Sequence, residues 1–185
     1  MIYLIGGIRS SLEVSMLLFY ASLEDRSVIL INGGTNLKVP QPNLCELAGS
    51  QSYKILQSAD DCLIQEVKDS MSTYDDIIVN CASKELFVKL LKFSDRLIVP
   101  FKDTDLSLDV IWARVNIETE IEKAWNVNPS LRAYSVLLKE PMEEYSKPEL
   151  TNNLKKCPYM KFIDFDKLSH YFKDQISMAH FLQDK

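Results

Sequence analysis

Apolar residues in this chain fall into short continuous runs separated by stretches where they recur every three or four positions. Ile2–Ile5, Val28–Ile31, Asp76–Cys81, Arg96–Pro100 and Leu131–Leu138 are apolar at most positions, the pattern of strands covered on both faces. Tyr53–Leu56 predicts a short edge strand and Tyr159–Phe165 a last one, and Pro100 is expected to stop its strand. Between the strands, Ala59–Met71 carries Leu63, Val67 and Met71 on one helical face, with acidic residues in its first turn. After Ser83, a candidate cap, come Leu86, Phe87, Leu90 and Leu91. The longest helix is predicted over Leu106–Trp125, where Leu106, Val110, Ala113, Ile117, Ile121 and Ala124 keep steps of three and four.

The remaining segments follow the same logic. Leu12–Leu23 is apolar on nearly every face and predicts a buried helix. Asn36–Gln51, rich in Asn, Pro and Gly, predicts an irregular loop. Glu143–Lys156 is a weaker helix split by Pro148, and Lys167–Leu182 a closing helix with Leu168, Phe172, Ile176, Ala179 and Leu182 on one side. Strands alternating with helices predict a three-layer α/β sandwich around a mostly parallel, doubly wound sheet. A chain of 185 residues is most simply one domain, 1–185, with one core.

The chain is organised around Met1–Asn36: strand, glycine turn, helix, strand. Gly6-Gly7-Ile8-Arg9-Ser10-Ser11 after the first strand would aim backbone N–H groups and a helix N-terminus at an anion. A phosphate loop also needs a first Gly and a closing Gly-Lys-Ser/Thr. In that register Leu4, Arg9, Ser10 and Ser11 stand at the first Gly, second Gly, Lys and Ser/Thr. Arg9 and the helix N-terminus suit an anion; the competing reading is a remodelled turn in which Ser10 or Ser11 only caps the helix.

Composition changes this picture little. The chain is 46% apolar and 25% charged with net charge −5, which argues against a globally basic nucleic-acid binder. No apolar run reaches the roughly 18–20 residues of a membrane span. The N-terminus, starting directly on a strand, reads as carrying no signal peptide. Cys45, Cys62, Cys81 and Cys157 are scattered without any CxxC, so they read as reduced cytoplasmic thiols. His170 and His180 lack the i, i+4 spacing of a helical metal pair.

The order of segments resembles the ParA/MinD family of deviant Walker ATPases over residues 1–140. The family's first turn reads Lys-Gly-Gly-x-Gly-Lys-Thr-Thr, where this chain has Ile5-Gly6-Gly7-Ile8-Arg9-Ser10-Ser11-Leu12. Its second strand ends Ile-Asp-x-Asp-Pro-Gln, against Ile31-Asn32-Gly33-Gly34-Thr35-Asn36. Its Walker B segment, Tyr-Asp-x-Ile-Ile-x-Asp, is matched by Tyr74-Asp75-Asp76-Ile77-Ile78-Val79-Asn80, and Ala-Asp-x-Val-Ile-x-Pro by Ser94–Pro100.

The resemblance implies a P-loop fold of this type and, by its departures, a loss of chemistry. The family's signature Lys is Ile5, its phosphate Lys is Ser10, its water-orienting Asp is Asn32, its switch Asp is Gly34 and its Mg²⁺ Asp is Asn80. Phosphoryl transfer is positioning plus charge stabilisation, so these losses imply a pseudo-ATPase with no catalytic residues and no metal ligands. The retained site is Gly6, Gly7, Ile8, Arg9, Ser10, Ser11, Asn32 and Asn80, where Asn32 and Asn80 face one crevice and can bond a ligand or each other. No cofactor is expected, although the turn leaves room for residual ATP, ADP or phosphate binding; Mg²⁺ is not expected. The resemblance further implies a cytoplasmic partition or positioning component acting through protein contacts. It would be a homodimer, or a heterodimer with an active ParA-type ATPase or an adaptor. Direct nucleic-acid or membrane binding is not expected, because residues 136–185 hold as many Asp and Glu as Lys and Arg, and the closing helix carries too many acids to target a membrane. The alternative is an active partition ATPase in which Arg9 and the serines replace the lysines. A third reading is an anion or small-molecule sensor using the same crevice.

Overall fold

Seven strands form one sheet in the order β3-β2-β4-β1-β5-β6-β7, and every pairing between neighbours is parallel. The computed structural model describes residues 1–7, 14, 15, 18, 19, 26–33, 53–102, 108–138 and 161–164, with the backbone alone at 101–102, 108–115, 137–138 and 161–164. The strands are β1 (Ile2–Gly6), β2 (Val28–Gly33), β3 (Tyr53–Ser58), β4 (Asp76–Cys81), β5 (Arg96–Lys102), β6 (Arg132–Leu138) and β7 (Lys161–Asp164). The helices are α1 (Leu63–Ser70), α2 (Lys84–Leu91) and α3 (Leu108–Trp125); Val14, Ser15, Leu18 and Phe19 are also helical.

Alternation along each strand divides the core in two. Ile2, Leu4, Ile29, Ile31, Ile77, Val79, Leu97 and Val99 pack beneath Leu63 and Val67 of α1, Phe87 and Leu90 of α2, and Ile117 and Ile121 of α3. Tyr3, Ile5, Val28, Leu30, Ile78, Ile98 and Tyr134 face the other way, against Val14, Leu18 and Phe19. Because β1, β2 and β4 are buried at every position, helices on both faces are required, and the three-layer α/β sandwich expected from the apolar runs is what forms. Each fully buried Leu or Ile contributes about 1.5–3 kcal/mol.

Several boundaries differ from expectation. The Ala59–Met71 helix begins only at Leu63, because the amides of Cys62 and Leu63 both bond the Ala59 carbonyl, at 3.1 and 3.0 Å, in a tight turn. Asp60 and Asp61 therefore precede the helix, and Glu66 is the acid in its first turn. Ser83 does occupy the N-cap of α2, yet its hydroxyl makes no capping bond. Pro100 does not stop β5. Pairing with β1 extends to Ile98 whereas pairing with β6 continues to Lys102, so a proline there sits where one flank of the strand is already unpaired.

Trp125 is half-buried against the core and its indole N–H donates to the Leu131 carbonyl at 3.0 Å. The side chain of Trp112 lies outside the described residues, as do the Asn36–Gln51 loop, the Glu143–Lys156 and Lys167–Leu182 helices, Cys45, Cys157 and both histidines.

At the amino edge of the sheet, Asp75 and Asp76 tie β4 to the chain entering β2. The Ser27 amide and hydroxyl donate to the Asp75 carboxylate at 3.0 and 2.8 Å, and Arg26 Nε lies 3.0 Å from Asp76 Oδ2. Burial pushes the Asp76 carboxyl above the usual carboxylate range, against the opposing pull of Arg26. A raised folded-state value means that its contribution to stability is greatest when protonated, below the unfolded value, and is lost as pH rises through the folded value. Asp76→Asn should accordingly gain stability relative to wild type as pH rises from 3 to 7, measured by urea denaturation across that range. A difference that is constant with pH would contradict the assignment.

Candidate functional site

The topology places the candidate site at the carboxyl edge of the sheet beside β1. From β1 the chain passes through the Val14–Phe19 region on one face to reach β2, beyond β4; from β4 it passes through α2 on the other face to reach β5, beyond β1. Connections leaving adjacent strands on opposite faces open a cleft at their carboxyl ends, the usual ligand position in a parallel sheet.

Gly6 and Gly7 stand at its mouth. Gly6 ends β1 opposite Cys81 of β4; a Cβ there would sit 2.6 Å from the Cys81 carbonyl oxygen and 3.2 Å from Phe87 Cδ2. Gly7 has φ +100°, and its Cβ would meet Ile117 Cδ1 at 2.9 Å. Close packing and the left-handed turn thus each require glycine, whatever binds beyond them. The other residues of the turn, Ile8, Arg9, Ser10 and Ser11, lie outside the described residues.

Asn32 and Asn80 are brought together. They are direct register partners on β2 and β4, both fully buried, and the Asn80 amide Nδ2 donates to Asn32 Oδ1 at 2.7 Å. Asn32 Nδ2 in turn donates to Gln57 Oε1 at 2.8 Å. Three side-chain amides therefore run head to tail across β4, β2 and β3 on one face of the sheet. Gln57 escaped the sequence reading because the edge strand was expected to end at Leu56. An amide one residue past a predicted strand end was the available signal, since extending β3 to Ser58 puts Gln57 in register with Asn32.

Amides suit this position electrostatically. Each supplies both a donor and an acceptor, so neighbours in the row pair without charge. Two carboxylates at the same separation would need a cation or a proton between them. Ile5, next to Asn80 in register, is fully buried in the apolar cluster with Val14 and Leu18. A lysine in its place would have to leave that cluster or lose its charge.

No other described group supplies reactive chemistry here. Cys81 is buried and its thiol, pushed up to about 11 by burial, stays protonated; it donates to the Ser83 carbonyl at 3.3 Å. Cys62 is exposed, and its hydrogen bond with Asp61 raises its pKa as well. Asp75 and Asp76 lie at the opposite end of β4. Among the described residues, no cluster of three His, Cys, Asp or Glu side chains could hold a metal, and no helix is long and apolar enough to cross a membrane.

These features define an all-parallel α/β protein, a fold shared with plasmid partition proteins. The chain is similar to the crystal structure of a plasmid partition protein from Borrelia burgdorferi, with a TM-score of 0.61 at 12% identity over 98% of this chain and 97% of that one. An iodide-soaked crystal of a plasmid partition protein from the same organism gives a TM-score of 0.59 at 14% identity, covering 98% of both chains. No protein-family model matches the chain, and no curated protein does.

Proposed function

We propose that this protein is a partition-type component that retains the ParA/MinD-like scaffold without its phosphoryl-transfer chemistry, and acts by binding a protein partner. The similarity of fold to plasmid partition proteins supports the setting. The observation that carries the loss of chemistry is the buried Asn80–Asn32–Gln57 row. Mg²⁺ is held in nucleotide sites by carboxylate, water and phosphate oxygens in near-ideal octahedral geometry. Here Asn32 and Asn80, two of the three positions aligned with the family's carboxylates, are neutral, and the Asn32 oxygen already accepts a bond from Asn80. These residues do not fit the ion. The buried Ile5 removes in the same way the cation that the family sends across its dimer.

In this reading the crevice is kept for folding, and function passes to surfaces that meet another protein in the cytoplasm. That protein is a second copy, an active ParA-type ATPase or its adaptor. Calorimetric titration with ATP and ADP, each with and without Mg²⁺, tests the first half. The expected result is no Mg²⁺-dependent heat and no Mg²⁺-dependent turnover, while partner capture is indifferent to nucleotide. Mg²⁺-dependent binding would overturn the proposal and favour an ATPase built on Arg9 and the serines.

A further inference from the structure

We draw no further inference here: the strongest candidate, the face of α3 on which Leu108, Ile111, Trp112 and Val115 recur at helical spacing, carries none because nothing among the described residues shows what covers it.

Discussion

Asn80→Asp should destabilise the protein by about 3–5 kcal/mol at neutral pH, the cost typical of an uncompensated buried charge. The substitution removes the donor that Asn32 Oδ1 accepts at 2.7 Å and places a carboxylate where the side chain has no exposure to water. Rotation of the Asn32 amide could offer the new carboxylate an N–H, but only by turning that N–H away from Gln57 Oε1. Burial would raise the folded-state pKa of the introduced group, so its penalty should vanish below the unfolded carboxylate range, about pH 4. Urea denaturation at pH 3.5 and pH 7 separates the cases. A loss of equal size at both values would mean that the position is solvated, and the buried amide row would be wrong.

Gly6→Ala should cost about 2–4 kcal/mol, read as a fall in the urea midpoint with unchanged slope. Overpacking alone costs about 1–3 kcal/mol, and here the nearest atom is a backbone carbonyl oxygen, Cys81 O at 2.6 Å. A side chain could rotate aside; this carbonyl can yield only if β1 and β4 part at their carboxyl ends, at about 1 kcal/mol for each ladder bond lost. Trimming Phe87, the second atom met at 3.2 Å, should therefore fail to rescue the variant. Full rescue by Phe87→Leu would place the clash in the helix layer instead of the ladder.

Much of this architecture could be read without coordinates, for a local reason. β4 was expected over Asp76–Cys81 and forms there, because a six-residue run centred on β-branched Ile77, Ile78 and Val79 is too short for a helix and suits a strand. The core stripe of α3 was equally visible: Ile117, Ile121 and Ala124 are buried as their spacing demands. Termini were less legible. The start of α1 depends on a hydrogen-bonded turn at Ala59, and the length of β5 on where its neighbour stops, neither of which is written in its own residues.

The candidate site divides along the same line. Asn32 and Asn80 were singled out as amides at carboxyl strand ends able to bond one another, and they do. Gln57 was not, since nothing local distinguishes a glutamine in a strand from one just after it. Its role exists only because β3 pairs with β2 in a register that sets residue 57 opposite residue 32.

By itself, then, the sequence determined the class of fold, the identity of the strands and the placing of Ile5, Asn32 and Asn80 near the carboxyl ends of theirs. These depend on apolar period and residue type, properties of the chain taken a few residues at a time. Tertiary structure alone decided the strand order, the filling of the space beside Gly6 by Cys81 and Phe87, and the third amide in the buried row. Those depend on which strands lie side by side, and parallel pairing joins residues from 25 to 93 positions apart, beyond the reach of any local pattern.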